Sequence, residues 1–326
     1  MLKIVLAGSV KSSLETLKSL VKHEMNVAGV FGYEPSEHTS ISGYISMKPF
    51  CEAHNIPYYA FVKINAEQTV DILKKLQPDI LFVVGLSQLV SDEILSIAKL
   101  GNIGFHPTAL PAGRGRSPIA WMILEEKAGA ANFFLMSKGA DEGPIFVKED
   151  FLIEATDTAA SVQAKIWKSL HVCLDTWLPA LKKGEWIFSP QDESLASYYG
   201  KRNPEDGIIY WDSTADEIEK LIRASSKPNP GAYTFKGTNK ILIWHSKVEK
   251  EIKIKGVTGR VLLVKNNEFL VQCGSGLLWL THTTDESLNK ITLKVGEKLG
   301  YYPELEIYNL KKEIQLLKEW IQKKTS

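Results

Sequence analysis

The chain has 326 residues, more than one domain usually needs, and its 44% hydrophobic and 24% charged content is that of an ordinary globular protein. Lys and Arg total 39 against 38 Asp and Glu, a formal charge of +1, which excludes a surface built throughout to hold a polyanion. Cys51, Cys173 and Cys273 are far apart with no C-x-x-C pair, and no stretch reaches membrane-spanning length, so neither a disulfide framework, a zinc site nor a membrane span is indicated. The start, "MLKIVLAGS", is too short for a signal peptide and lacks a cleavage pattern, and a reducing cytoplasmic setting is the expectation.

"LKIVLAG" (Leu2 to Gly8) is a short apolar run ending in glycine, the mark of a buried parallel strand. "SLETLKSLVKHE" follows at helical spacing, then "NVAGVFGY" as a second strand. "TVDILKKLQ" predicts a helix, "PDILFVVG" a third strand, and "VSDEILSIAK" a helix opened by Ser91 with Asp92 and Glu93 in its first turn. Strands alternating with helices predict an α/β, Rossmann-like parallel sheet, whose ligands bind beyond the carboxyl ends of its strands. The loop after Gly8, "AGSVKSS", is neither G-x-G-x-x-G nor G-x-x-x-x-G-K-S/T, so a nicotinamide dinucleotide site and a phosphate loop are both unsupported.

"NIGF" is a further strand, with His106 just past its end in "GNIGFHPTALPAGRGRSP". "ANFFLM" (Ala131 to Met136) is another, ending at "SKGADEGP", which places Asp141 just past it. Two adjacent strand ends bring an imidazole and a carboxylate together, and such a carboxylate fixes the tautomer and raises the basicity of the ring. An isolated histidine in a proline loop reads as a surface residue; the surrounding pattern is what favours a site.

From about Gly184 the composition turns polar, and "PQDESLASYYGKRNPEDG" is a linker candidate. Beyond it a helix, "ADEIEKLIRAS", precedes the short strands "KILIWHS", "GRVLLVK", "FLVQCG" and "LLWLTH", a small β-rich, barrel-like domain. The tail, Glu304 to Lys324, is amphipathic, with Ile307, Leu310, Ile314, Leu317 and Ile321 on one stripe. A homodimeric coiled coil is one reading; the stripe is short for that, and a helix packed on its own domain is the expectation. The division expected is a catalytic domain over 1–183, a linker over 184–206, and a β-rich domain with a terminal helix over 207–326.

The chemistry-bearing stretches resemble the folate-dependent formyltransferases. That family carries a strand ending Asn-x-His, a Ser-Leu-Leu-Pro-like loop with Arg-Gly, and a later strand leading to Leu-Asp-x-Gly; this chain has "GFHPTALPAGRGRSP" and "GADEGPIF" in the same order. "LAGS", "PDILFVVGLSQLVSDEIL", "PEDGIIYW", "LIRAS", "PNPGAY" and "KILIWHS" extend the resemblance to about Ser246, the later ones toward members that act on nucleotide-linked amino sugars. It implies attack of a primary amine on the formyl carbon of N10-formyltetrahydrofolate, a tetrahedral intermediate, and collapse to a formamide and tetrahydrofolate, with no metal required. Such chemistry needs an oxyanion donor and a path for the amine's proton. By the resemblance His106 supplies the first contact, Asp141 holds His106 and relays protons, and the folate sits against Gly85, Leu86, Ser87 and Leu89 and the backbone of Lys138, Gly139 and Ala140.

One position departs from the family. Its asparagine two residues before the histidine is Gly104 here, and loss of an oxyanion donor typically costs on the order of 2.7–4 kcal/mol. An impaired enzyme, an amide reaching in from Asn102, and an amide relocated to Asn132 compete. Alternation along "NFFLM" favours Asn132, with Gly104 making room for it; a buried amide satisfied by backbone is the plain alternative.

Three acceptors compete as well: a UDP- or dTDP-linked amino-dideoxy sugar made for a surface glycan, methionyl-tRNA, and water in a hydrolase. The loop "GYEPSEHTSISGYISM" carries Glu34 and Glu37 and no Lys or Arg before Lys48, against a nucleic-acid path, and the second-domain features favour the sugar. Arg114 and Arg116 beside His106, with Lys201 and Arg202 in the linker, are the expected diphosphate cations, solvated surface charge being the rival reading for the last two. Trp121, Tyr33, Tyr198 and Tyr199 are candidates to stack on the base.

Overall fold

The computed structural model describes residues 1–34 and 43–325, so Glu37 lies outside the described residues. The chain divides into two compact units, Met1–Pro204 with Ser226–Asn229, and Glu205–Ser225 with Pro230–Ser326.

The first unit runs β1 (Lys3–Gly8), α1 (Lys11–Lys22), β2 (Asn26–Tyr33), α2 (Lys48–Ala53), β3 (Tyr58–Phe61), α3 (Glu67–Leu76), β4 (Ile80–Val84), α4 (Asp92–Leu95), β5 (Gly101–Thr108), β6 (Arg114–Gly115), α5 (Pro118–Glu125), β7 (Gly129–Leu135), β8 (Ile145–Phe151), α6 (Ala159–Lys182) and β9 (Tyr198–Tyr199). Seven strands form one sheet in the order β3-β2-β1-β4-β5-β7-β8. From β3 to β5 every pairing is parallel, as the alternation of strands and helices predicts. The last two pairings, β5 with β7 and β7 with β8, are antiparallel. The strand read as ending at Phe105 continues to Thr108, so His106 lies inside β5, opposite Asn132 on β7.

Side-chain alternation gives each central strand two buried faces. Ile4, Leu6, Ile80, Phe82, Ile103 and Phe133 meet α1 and α6 residues on one side, and Val5, Ala7, Leu81 and Val83 form a separate core with Val70 and Leu73 of α3 on the other. Helix α6 is absent from the elements expected, yet its signal is in the sequence. Val162, Ile166, Leu170, Cys173, Leu174, Trp177, Leu178 and Leu181 recur at helical spacing and are buried, behind a Thr158 cap that accepts from Ser161 N–H.

The second unit holds α7 (Ala215–Ser225), β10 (Ala232–Lys236), β11 (Asn239–Glu249), β12 (Val261–Lys265), β13 (Glu268–Gln272), β14 (Leu277–Thr284) and α8 (Pro303–Thr325). Its five strands form an antiparallel sheet in the order β10-β11-β14-β13-β12. Ile218 and Ile222 of α7 are buried with Ile243, Phe269, Leu278 and Leu280. The tail helix corrects an expectation: α8 does not pack its stripe on its own domain, for Ile307, Leu310, Ile314 and Leu317 are 51%, 54%, 50% and 58% exposed.

Candidate functional site

His106 is buried on β5, held between a carbonyl and a carboxylate. Its Nε2 lies 2.9 Å from Gly113 O, and its Nδ1 3.3 Å from Asp141 Oδ2. A carbonyl only accepts, so Nε2 is the nitrogen that carries a proton in this contact. The loop from Thr108 to Gly115 is fixed from both sides. Thr108 Oγ1 donates to Gly113 O at 3.2 Å, and Gly113 N–H donates to Ser197 Oγ at 2.9 Å.

Asp141 adopts φ +58°, a left-handed conformation that aspartate tolerates better than most residues. Its Oδ2 accepts from Gly115 N–H at 2.9 Å, and its main-chain carbonyl accepts from Gln191 Nε2 at 2.7 Å. Asp141 Oδ1 makes no hydrogen bond among the described residues. The Asp141 side chain is 19% exposed against 6% for His106, so the carboxylate is the open member of the pair.

The Gly104 position is filled from the neighbouring strand. Gly104 pairs with Phe134, and a Cβ at 104 would lie 2.5 Å from Phe134 Cζ. The bare backbone therefore accommodates a phenylalanine ring, which corrects the reading that it makes room for the Asn132 amide. Asn132 is fully buried, and its Nδ2 donates to the carbonyls of His106 (2.8 Å) and Thr108. Those two carbonyls flank a register shift in the β5–β7 ladder, so the amide ties down an irregular stretch of β5. Asn132 Oδ1, which can only accept, is buried with no hydrogen-bond partner. Asn102 is likewise unavailable: its Nδ2 donates to Leu95 O at 2.7 Å.

Arg114 is corrected too. It is fully buried, and its guanidinium donates to Glu193 Oε1 (2.6 Å) and Oε2 (2.9 Å), Gln191 Oε1 (2.9 Å) and Tyr198 Oη (3.0 Å). The same contact holds the Glu193 carboxyl below the usual carboxylate range. With β6 pairing β9, Arg114 holds the 191–199 stretch in place and presents no free cation to a phosphate. Arg116 and Lys201 are exposed, while the Arg202 guanidinium lies 5.2 Å from the Trp121 ring centroid. Trp121 stacks on Tyr199 at 5.5 Å and donates to Gly200 O, and Tyr199 Oη donates to Glu125. Burial, with Glu125 behind it, pushes the Tyr199 phenol up to about 12.

The loop from Gly85 to Leu89 leaves the end of β4 at φ +63°, close against Val10, whose Cγ2 would lie 2.1 Å from a Cβ on Gly85. Gln88 ties it down by accepting from Ile64 N–H and donating to Val62 O, each at 2.8 Å. Leu86 is half-buried, while Ser87 and Leu89 are exposed. On the other loop Lys138 and Ala140 are exposed, Gly139 is half-buried, and Lys138 Nζ pairs with Asp92 at 2.8 Å.

A cavity of about 410 Å³ opens at the ends of β1, β4 and β5. Phe105 and Pro107, the neighbours of His106 on β5, line it with Gly85, Lys11, Gln163 and Trp167. Its size is that of a small-molecule site, and its walls are mostly apolar with a few polar groups. Gln163 and Trp167 come from α6, which is why sequence reasoning missed them; the signal lay in the period of that helix. Gln191 was missed because nothing in a polar, turn-rich segment marks the one side chain that bridges Arg114 to the Asp141 loop. Among the described residues no group of three His, Cys, Asp or Glu side chains converges to hold a metal.

Residues 5–176 match the profile of the family described as Formyl transferase, and residues 201–295 that described as Formyl transferase, C-terminal domain. Among solved structures the chain is similar to WlaRD, a sugar 3N-formyl transferase crystallised with dTDP and 5-N-formyl-THF. Identity is 19% and the TM-score 0.65, over 89% of this chain and 99% of that one. It is similar to an N-formyltransferase from Helicobacter canadensis in complex with folinic acid and dTDP-3-aminofucose, at 16% identity and TM-score 0.63, over 87% and 100%. HypX from Aquifex aeolicus in complex with tetrahydrofolic acid gives 16% and 0.62, but there 87% of this chain covers only 44% of that chain, so the chain spans less than half of HypX. At such identities the structures speak for the fold; the profiles establish the family.

Proposed function

The chain belongs to the formyl transferase family, and from that premise we propose that it moves the formyl group of N10-formyltetrahydrofolate to the amine of a nucleotide-linked amino-dideoxy sugar, for a surface glycan. The observation that carries the reading is the His106–Asp141 pair, with the carboxylate open and the imidazole closed in. The Gly85–Leu89 loop, pinned by Gln88 with Ser87 and Leu89 projecting, fits a folate laid against backbone and apolar side chains, with Lys138 to Ala140 opposite. When bound, the donor supplies an electrophilic formyl carbon.

The chain's own residues handle the proton. The amine gives up one proton and the leaving nitrogen of the folate takes one up. Asp141 Oδ1 would accept the first and return it to the leaving nitrogen, while His106 fixes the carboxylate through Oδ2. This reverses the order expected from the motif, in which His106 made the first contact and Asp141 stood behind it. Asn132 is directed at main-chain carbonyls and Phe134 lies over Gly104, so neither of these two positions offers an amide to a developing oxyanion. Release of His106 Nε2 from Gly113 O would free an N–H donor at this point of β5. The diphosphate falls to Lys11, which lines the cavity with Ser12 in the first turn of α1, and to the exposed Arg116 and Lys201.

Two relatives of matching length carry dTDP or a dTDP-sugar in their structures, which supports the sugar over methionyl-tRNA. The experiment is a comparison of kcat/KM on dTDP- and UDP-linked amino sugars and on methionyl-tRNA at fixed donor. A sugar nucleotide preferred over the tRNA supports the proposal; preference for the tRNA overturns it.

A further inference from the structure

The stripe on α8 repeats with the spacing 3, 4, 3, 4 from Ile307 through Leu310, Ile314 and Leu317 to Ile321. That is a heptad with Ile at every a position and Leu at both d positions, the combination that favours two parallel strands. The flanking positions obey the same register. Glu306 and Glu313 fall at g, and Lys311 and Lys318 at e. In a parallel pair each g residue faces the e residue five further along the other helix, which sets Glu306 against Lys311 and Glu313 against Lys318, twice over by symmetry. An antiparallel pair would set Glu against Glu and Lys against Lys.

Among the described residues nothing within one chain covers the seam from Ile307 to Leu317. The four seam residues from Ile307 to Leu317 are each at least 50% exposed, in a helix of 23 residues. Burial of an apolar face against another element is what stabilises most helices in proteins. Leu305, Tyr308 and Leu316 fall outside the seam.

We propose that α8 forms a parallel two-stranded coiled coil with α8 of a second copy of this chain. The occupant is a second copy because the charges at g and e complement the chain's own sequence, and they do so in one orientation only. The seam is short, just over two heptads, so the association is concentration-dependent.

Sedimentation equilibrium of the full chain over a range of concentrations tests this, beside Ile314→Glu and Lys324→Cys. The proposal expects a monomer–dimer equilibrium for the unaltered chain, and monomer for Ile314→Glu at concentrations where the unaltered chain is dimeric. Position 324 is the next d position, and Cys51, Cys173 and Cys273 are buried. Mild oxidation of Lys324→Cys should therefore give a disulfide-linked dimer. A monomer at every concentration overturns the proposal, and so does a dimer that survives Ile314→Glu. A Lys324→Cys variant that dimerises but does not cross-link on oxidation overturns the parallel register. Near-UV circular dichroism of Ile314→Glu, unchanged for a substitution at an exposed position, separates lost association from lost folding.

Discussion

Two neighbouring rungs of the β5–β7 ladder answer the same geometric problem in opposite ways. At His106–Asn132 both side chains are polar and buried, the imidazole Nε2–H donating to Gly113 O with Asp141 beside Nδ1, and the amide donating to the carbonyls of β5. At Gly104–Phe134, two residues away on the same face, a motif that elsewhere carries an amide carries none, and a ring covers the bare backbone. The gap at Gly104 is a packing choice made jointly with the opposite strand. A residue missing from a motif should be sought first in the partner across the ladder.

The polar rung breaks hardest at its open end. Asp141→Asn keeps the shape but removes the proposed proton acceptor, and turnover should fall by about 10²–10⁴-fold in a protein whose circular dichroism is unchanged. Wild-type rates in that variant would remove Asp141 from the chemistry. Arg114→Ala separates an anchor from a phosphate clamp. It deletes several hydrogen bonds at a fully buried site, so stability should drop by about 3 kcal/mol in urea denaturation, with the KM for sugar nucleotide unchanged at a temperature where the protein stays folded. A raised KM with unchanged stability would restore the clamp.

The apolar rung is tested by crowding it. Gly104→Asn forces a side chain into Phe134 and should cost about 2 kcal/mol, and Phe134→Ala in the same chain should recover part of that loss. Additive effects in the double-mutant cycle would show that the two positions do not share one space. Asn132→Ala leaves buried carbonyls without a donor, a cost of about 1–2 kcal/mol, and should lower thermal stability more than it lowers turnover. The reverse ranking would return the relocated-amide reading to favour.

The smallest effect lies away from both rungs. Asp157, ahead of α6, is buried, which alone would raise its carboxyl. The Lys165 ammonium, Glu154 N–H and the Ser161 hydroxyl outweigh burial and hold it below the usual range. A depressed carboxylate stabilises the fold above its unfolded value of about 3.9, and loses that contribution as pH falls through the lower folded value. The stability difference between the wild type and Asp157→Asn, about 1.5 kcal/mol at neutral pH, should therefore shrink below about pH 4. A difference that stays constant into acid would contradict the linkage.

In the parallel half of the large sheet β1, β2 and β4 were legible as apolar runs, β1 and β4 running out into glycine, while the four-residue β3 was not. Strand β8 was not, since Lys148, Glu149 and Asp150 interrupt it and its pattern is that of a half-exposed edge. His106 and Asp141 were legible because a motif keeps them at fixed spacing. The fates of Arg114 and Asn132 were not. Arg114 meets Glu193 at a separation of 79 residues, and Asn132 meets His106 at 26, through a register that no single strand encodes. For α8 the stripe could be read, and what covers it could not.

The central claim is group transfer to an amine, and the most direct test counts its two products. Purified chain, N10-formyltetrahydrofolate and a dTDP-linked amino sugar should give formamide and tetrahydrofolate in equal amounts, followed together by mass spectrometry and absorbance. Tetrahydrofolate released without formamide would make water the acceptor and contradict the account.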